Sequence, residues 1–347
     1  MGNKIRMFFA LVFMAAAVSC TADRDKYIKI EGYAQGGVYF VTLNLNGVDV
    51  RPAEIRDSVE SILHRIDFTL SGYNKNSLIS AFNQGDTIVP NGLFADMYAR
   101  AHCVYNETQG IVDAASAPLF DMWGFGFKSG EMPSDEDVQT MLEHSGMRHL
   151  RADIEAGTPL AGKDLLLEGE VPPQLNYNAI AQGYSCDLVA GYLYSIGVKD
   201  MMVNIGEIFC DGLNPSGQPW TVGIDRPVDG NNEPGAQVQG IFKAPSGPHG
   251  IVTSGNYRKF YVRDGKKYAH TIDPRTGYPV SHGLLSATIL ADDAITADAY
   301  ATYCMVVGLE ESKALLARRP DLEGCLIYDQ DGEFLTWCSD GFVLTEM

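Results

Sequence analysis

The feature that most restricts the fold is a run of short β-type segments in the second half of the chain. The segments at 221–224, 237–243, 250–253, 260–262 and 284–290 are rich in β-branched and apolar residues, and Gly or Asp-Gly turns separate several of them. Strands that follow one another in this way favour an α+β fold over a doubly wound parallel sheet.

Other parts of the chain have apolar residues at helical spacing. This spacing predicts helices over 52–66, 91–107, 134–145 and 296–307 and one that ends at Gly197, while 38–45 and 201–205 have the pattern of strands. No repeat and no low-complexity linker divides the sequence. We therefore predict a single α+β domain over 27–347, built as two lobes.

The charge of the chain narrows its possible partners. The 347 residues include 26 Lys and Arg against 44 Asp and Glu, which gives a net charge of −18. A protein that wraps nucleic acid needs a basic face, so we predict no nucleic-acid partner. A local pocket for one phosphate-bearing ligand is still compatible with this balance.

The amino terminus has the pattern of an export signal. Lys4 and Arg6 precede an uncharged run at 7–18, which is shorter than the about 20 apolar residues that span a bilayer. The small residues before Cys20 resemble the lipobox of bacterial lipoproteins, in which this cysteine carries the lipid. We predict a signal peptide at 1–19, a lipidated Cys20 and a short tether at 20–26. The product would be an exported lipoprotein, anchored to the membrane and facing the periplasm or the cell exterior, with simple secretion as the alternative.

Cysteine spacing and missing motifs exclude several classes of protein. Six cysteines follow Cys20, and none forms a C-x-x-C pair, so zinc knuckles and thioredoxin-like sites have no support. Export would permit disulfides, but the sequence does not reveal pairing, and most of these cysteines lie among apolar residues typical of a core. The chain also lacks the G-x-G-x-x-G, P-loop, H-E-x-x-H and G-x-S-x-G motifs.

The pair Asp298 and Thr302 is a candidate metal site. On a helix these residues share a face, so a carboxylate and a hydroxyl oxygen can meet one Mg²⁺ ion. The same spacing is also common on a solvated helix face, and the pair alone does not separate the two readings.

His270 is a candidate general base. It precedes the turn at 273–277, in which Pro274 fixes φ and Gly277 permits positive φ. A histidine at the end of a strand beside a rigid loop can take up a proton near neutral pH. A structural or simply exposed histidine is the alternative.

The segment 176–184 has small residues just before a predicted helix. Small residues there allow the backbone to approach a ligand closely. Tight packing of the helix on a sheet would explain them equally well.

Together these clusters resemble the ApbE-type flavin transferases, FAD:protein FMN transferases. The similarity extends from about Gly36 to Gly308 and implies an ApbE-like domain with largely antiparallel strands. The matching segments follow the family's order and are 70–83 around Ser71-Gly72-Tyr73, 112–113, 118–126 with Trp123-Gly124-Phe125-Gly126, 179–184, 214–220, 253–258, 270–277 and 297–302.

The resemblance assigns roles to particular residues. It implies that Asp298, Thr302 and the backbone carbonyl of Ala179 bind Mg²⁺, and that His270 assists deprotonation of the nucleophile. The residues that it implies at the flavin nucleotide are Gln35, Tyr73, Ile111, Val112, Asp113, Asn176, Gln182 and Ile272.

The resemblance also implies a reaction and its partners. FMN would pass from the substrate FAD to a Thr or Ser hydroxyl of an exported or membrane redox subunit, and AMP would leave. With water as the nucleophile, the same site would instead be a FAD pyrophosphatase that yields FMN and AMP.

Several positions depart from the family's pattern. Asn176 stands where the family usually has Asp, Gln182 where it has Lys, and Gln35 where Met is common, while Ile205-Gly206-Glu207 replaces Gly-Gly-Glu. One negative and one positive ligand-facing charge are therefore lost together. These departures motivate a third alternative, a FAD-binding lipoprotein without turnover.

Overall fold

The computed structural model describes residues 26–125, 132–228, 231, 235–256, 260–263 and 266–346. The predicted signal peptide and lipidated Cys20 lie outside the described residues. Within the described part of the chain, none of the helices has the length and apolar character needed to cross a membrane.

An antiparallel sheet of eight strands lies at the centre of the described structure. Its neighbouring strands are antiparallel at each pairing. From one edge to the other the strands are β1 (Tyr27–Ala34), β2 (Gly37–Asn44), β3 (Met201–Asn204), β4 (Ile208–Asp211), β7 (His249–Gly255), β10 (Leu284–Ala291), β11 (Glu323–Gln330) and β12 (Glu333–Cys338).

Two smaller sheets accompany the central one. A three-stranded sheet contains β5 (Thr221–Asp225), β6 (Val238–Lys243) and β13 (Leu344–Glu346), with β6 in the middle. Strands β8 (Phe260–Arg263) and β9 (Lys266–Ala269) form a separate hairpin. Buried side chains of the three-stranded sheet, such as Phe242, share a core with Ile251 and Ile327 of the central sheet.

Most of the other elements of the described structure are α-helices. They are α1 (Pro52–Leu70), α2 (Leu78–Asn83), α3 (Gly92–Glu107), α4 (Ala117–Met122), α5 (Asp135–His144), α6 (Gly162–Leu165), α7 (Ala181–Ser195), α8 (Ala294–Val307) and α9 (Leu309–Arg318). Polar side chains cap several amino termini: Asn91 accepts from Phe94 N at 2.9 Å, and Asp293 accepts from Thr296 N at 2.9 Å.

Helix α8 lies where two hydrophobic cores meet. Ile295 and Ala299 belong to the core that includes α1, α3 and α7, whereas Ala297 and Ala301 belong to the core formed with β7, β10 and β11. Both sides of α8 are therefore covered, and most of its side chains are buried. A polar residue on this helix is consequently removed from bulk water.

The fold confirms the predicted α+β class with largely antiparallel strands. The predicted helices are present, with α1 four residues longer than predicted and α8 beginning at Ala294 rather than at residue 296. Strands β1, β4, β11 and β12 and helix α9 were not predicted from the sequence. Of these, β1 and β12 form the two edges of the central sheet, β4 and β11 lie inside it, and α9 packs against β11.

Candidate active site between two helix termini

Asp298 is a buried carboxylate on α8. Its residue is 4% exposed, so the reading of Asp298 and Thr302 as a solvated face is wrong for Asp298. Its Oδ2 atom accepts a hydrogen bond of 3.0 Å from the backbone N–H of Gly183. Thr302 follows one helical turn later and is half-buried. Asp298 therefore faces the interior next to the start of α7, with the partly buried Thr302 one turn further along α8.

Gly183 is the residue that allows this contact. Gly183 is the third residue of α7, and the N–H groups in the first turn of a helix have no intrahelical acceptor. Asp298 of α8 provides the acceptor for the N–H of Gly183. A Cβ at this position would stand 2.2 Å from the carbonyl oxygen of Ala294. At Gly183, the small residue of segment 176–184 thus serves close packing of two helices.

Ala179 lies in the turn that precedes α7. The hydrogen bond at the start of this helix runs from Tyr184 N to Ile180 O at 3.0 Å, so the Ala179 carbonyl precedes the intrahelical ladder. Ala179 packs against both cores, next to the α7–α8 contact. Its carbonyl oxygen can therefore serve as a ligand without breaking a helical hydrogen bond.

The donor set of Asp298, Thr302 and the Ala179 carbonyl fits Mg²⁺. All three donors are oxygens, which Mg²⁺ prefers, and so small a set leaves coordination positions for water or phosphate. Within the described ranges, no three His, Cys, Asp or Glu side chains cluster as a metal site. A cation here would therefore depend on a hydroxyl and a backbone oxygen beside one carboxylate.

The electrostatics of the site favour a bound cation. Burial raises the pKa of Asp298 to about 8, against the opposing hydrogen bond from Gly183, and the charge of Asp187 raises it further. Among the described side chains, no ion pair reaches Asp298. Its negative charge is therefore poorly compensated within the protein, and a divalent cation would stabilise the ionised form.

Asp187 also connects α7 with α8, and it was not predicted as a site residue. From α7, its two carboxylate oxygens accept from the backbone N–H groups of Ala294 and Ile295, at 2.8 and 2.9 Å, at the start of α8. Each helix thus caps the other, since Asp298 of α8 accepts from α7. Burial raises the pKa of Asp187 to about 7.

Tyr73 and Asn176 are connected through Asn178. Asn178 Nδ2 donates to the hydroxyl of the exposed Tyr73 at 3.3 Å, and Asn178 N donates to Asn176 Oδ1 at 2.8 Å. The backbone N–H of Asn176 donates to Ala114 O at 2.7 Å. The structure therefore brings Tyr73 to the segment that contains Ala179, and Asn178 is a contact that sequence reasoning missed.

Gln182 lies in the first turn of α7, and Gln35 contacts this helix from the turn between β1 and β2. Gln182 Nε2 donates to Ile205 O at 3.3 Å, beside the segment that replaces Gly-Gly-Glu. Gln35 has a positive φ of 53° in the turn between β1 and β2, and its Nε2 donates to Ser185 Oγ. The structure therefore places both residues, which the resemblance implies at the nucleotide, at the first turns of α7.

Ile111, Val112 and Asp113 approach from the chain after α3. Ile111 and Val112 are buried in the same core as Ala297 and Ala301 of α8. Asp113 accepts from Ala115 N at 2.8 Å and from Met147 N at 3.0 Å, and burial raises its pKa to about 6. Its described hydrogen bonds thus join two loops.

His270 and Ile272 lie on a loop anchored at another part of the central sheet. Thr271 Oγ1 donates to the buried Asn256 Oδ1 at 2.6 Å, just after β7, and Asn256 N donates to Leu285 O of β10 at 3.0 Å. Ile272 is 1% exposed and packs in a separate cluster with Trp123. No described contact joins Ile272 to Asp298.

Fold and site together define an α+β protein with mutually capped helices around a buried, oxygen-rich site. The chain matches the ApbE family over residues 33–326. The Escherichia coli K12 relative named FAD:protein FMN transferase is 32% identical over 322 residues, which cover 90% of this chain and 87% of the relative. The relative of that name from Vibrio cholerae is 32% identical, with 96% of each chain covered.

Comparison with solved structures also finds ApbE flavin transferases. The flavin transferase ApbE from Vibrio cholerae superimposes with a TM-score of 0.74 at 30% identity, covering 90% of this chain and 97% of that one. The apo flavinyl transferase ApbE from Pseudomonas stutzeri gives 0.77 at 29% identity, with 91% and 95% covered. The chain therefore belongs to the ApbE family.

Proposed function

We propose that this chain is a Mg²⁺-dependent FAD:protein FMN transferase. It would move FMN from FAD to a Thr or Ser hydroxyl of an exported or membrane redox subunit and release AMP. The observation that carries the proposal is the buried Asp298, hydrogen-bonded to Gly183 beside the Ala179 carbonyl. The names of the family relatives support the same reaction.

Asp298, Thr302 and the Ala179 carbonyl would hold the Mg²⁺ ion. When bound, the ion would neutralise charge on the diphosphate of FAD and on the departing AMP. The protein contributes a rigid frame, because the mutual caps of α7 and α8 fix Asp298 relative to the turn that contains Ala179. Such preorganisation keeps the carboxylate in place without a change of conformation during the reaction.

His270 would accept the proton of the attacking hydroxyl. The hydroxyl oxygen bonds to the phosphorus on the riboflavin side, the bond from that phosphorus to the bridging oxygen breaks, and AMP leaves with this oxygen. The loop of His270 is held by the hydrogen bond between Thr271 and Asn256. An anchored base loses little entropy on reaching its working position.

A mass measurement on an acceptor tests the proposal. The chain is incubated with FAD, Mg²⁺ and an exported redox subunit that carries a candidate Thr or Ser. We expect the acceptor to gain the mass of FMN less water and AMP to appear in equal amount. Asp298→Asn, which keeps the size of the side chain, should abolish both products while the circular dichroism spectrum stays unchanged.

The same assay separates the alternatives. AMP and free FMN without a labelled acceptor would identify a FAD pyrophosphatase. Tight FAD binding without AMP, even in excess Mg²⁺, would identify a binding protein without turnover. Asn176 and Gln182 motivate that last reading, since they replace the family's usual charged residues.

His270→Ala distinguishes a base from a ligand-positioning residue. We expect turnover to fall by about 100-fold or more, as is typical when a general base is lost, with little change in the Kd for FAD. A loss confined to FAD affinity would instead assign His270 to substrate binding.

We also propose that the chain is an exported lipoprotein. Support comes from Lys4 and Arg6, the apolar run after them, and the small residues before Cys20. The full-length chain should partition into the detergent phase of a cell extract, and Cys20→Ser should move it to the aqueous phase. Wild-type protein in the aqueous phase would contradict lipid attachment.

A further inference from the structure

Cys325 and Cys338 lie directly opposite each other on the antiparallel strands β11 and β12. The next pair along, Gly324 and Ser339, is joined by a hydrogen bond of 2.9 Å from Ser339 N to Gly324 O. Hydrogen-bonded and non-hydrogen-bonded pairs alternate in an antiparallel ladder, so the two cysteines form a non-hydrogen-bonded pair. Such a pair has Cα atoms about 4.5 Å apart, within the range of about 4.4–6.8 Å seen in disulfides.

The two side chains also contact each other. Both cysteines are thiols in this structure, and Cys325 hydrogen-bonds to Cys338, which lowers the pKa of Cys338 and raises that of Cys325. Cys325 is 1% exposed, whereas Cys338 is only half-buried. Cys210 shares their core but lies on β4, and strands β7 and β10 separate it from β11.

We propose that Cys325 and Cys338 form a cross-strand disulfide when the protein meets a protein disulfide oxidant. The more accessible Cys338 sulfur attacks the oxidant and forms a mixed disulfide, and the Cys325 sulfur then displaces the oxidant. The new S–S bond replaces the oxidant's own. The two protons and two electrons of the thiols end on the oxidant, which leaves as a dithiol. The reaction is separate from FMN transfer and depends on the proposed export only for its setting.

The disulfide would fasten the edge of the central sheet. Strand β12 is the last strand of that sheet, and the chain continues from it to β13 in the three-stranded sheet. Gly341 N donates to Glu323 Oε2 at 3.1 Å, so this connection already folds back on β11. A covalent link at Cys338 would restrict the unfolded chain and raise Tm by a few degrees.

The positions of Lys and Arg make the test simple. No Lys or Arg follows Arg319, and Cys325 and Cys338 are the only cysteines beyond it, so both fall in one tryptic peptide. The full chain is reduced, freed of reductant and treated with oxidised glutathione. We expect this peptide to lose the mass of two hydrogens. A protease that cleaves after Glu333 should leave two fragments that separate only on reduction.

Two variants serve as a matched pair. Cys338→Ser should abolish both the cross-link and the oxidation-dependent rise in Tm, while Cys103→Ser, which removes an exposed cysteine on α3, should keep both. The proposal would be overturned if Cys325 and Cys338 of the treated, natively folded protein are both still thiols that can be alkylated. A stable glutathione adduct on Cys338 would overturn it as well. Neither readout involves FAD, so failure of the disulfide and failure of FMN transfer are distinguishable.

Discussion

Replacing Gly183 with alanine tests the helix contact on which the proposed metal site depends. The added methyl carbon would stand 2.2 Å from the carbonyl oxygen of Ala294, 2.6 Å from its carbonyl carbon and 2.9 Å from Cβ of Asp298. The two nearest atoms belong to the backbone, so rotation of a side chain cannot relieve the overlap. Helices α7 and α8 would have to move apart.

The structure gives the size of this effect. Ordinary contact of a Cβ begins at 3.4 Å, so the helices would separate by about 1.2 Å at Gly183. Overpacking of this kind costs about 1–3 kcal/mol, partly offset by the about 1 kcal/mol that alanine gains over glycine in a helix. A shift of about 1 Å at a reacting centre can cost about 100-fold in rate. We therefore expect a lower Tm, a higher Mg²⁺ requirement and a loss of rate of about this size.

Gly191→Ala is the matched control on the same helix. A Cβ at Gly191 would meet nothing within 4 Å, so this variant should be as stable as wild type or gain about 0.5–1 kcal/mol. Both variants are compared by thermal unfolding and by Mg²⁺ titration of AMP release from FAD. A Gly183→Ala protein with wild-type Tm and wild-type half-saturation by Mg²⁺ would refute the reasoning.

Three further predictions concern the surroundings of the site. Gln182→Lys should tighten FAD binding by about two- to fivefold, since one more cation would face the phosphates, and the gain should shrink at high salt in a fluorescence titration. Burial raises the pKa of Asp113 to about 6, whereas the same group in the unfolded chain titrates near pH 4. Between about pH 4 and pH 6, Asp113 is therefore protonated in the native protein and ionised in the unfolded chain. The free energy of unfolding should therefore fall by up to about 3 kcal/mol as pH rises through this window, and Asp113→Asn should flatten the slope in urea denaturation. Gly277→Ala should lower Tm, because Gly277 has a φ of +79° and a Cβ there would stand 2.7 Å from Val138 Cγ1; an unchanged Tm would contradict a strained turn.

Local sequence patterns predicted the helix that carries the site. Residues four apart share a helix face whatever the helix packs against, so the pairing of Asp298 with Thr302 could be predicted from spacing alone. Their burial could not, because it depends on the two cores that meet at α8. The strand pattern likewise predicted the α+β class, whereas the pairing of β2 with β3 and of β4 with β7 depends on partners distant in the sequence.

The roles of Gly183 and Asp187 could not be predicted from the sequence either, because they too depend on contacts between distant parts of the chain. Gly183 N and Asp298 Oδ2 are separated by 115 positions in the chain, and Asp187 is 107 positions from Ala294. A glycine near a helix start and an acid one turn later are each unremarkable as local patterns. Only the contact between the two helix termini makes them a pair of reciprocal caps, and no local signal specifies that contact.

The two departures from the family pattern leave the charge balance of the site unchanged. The resemblance implies that Asn176 and Gln182 replace one acid and one base, so the summed formal charge of the two positions is that of the usual pair. Each amide also has a neutral local partner, Asn178 N for Asn176 and Ile205 O for Gln182. On the proposed assignment, the buried Asp298 would still bind a cation, while the resemblance implies that a cationic contact to the phosphates of FAD would be lost. We therefore expect the departures to weaken FAD binding more than Mg²⁺ binding, which favours the proposed transferase with weaker FAD affinity over a FAD-binding lipoprotein without turnover.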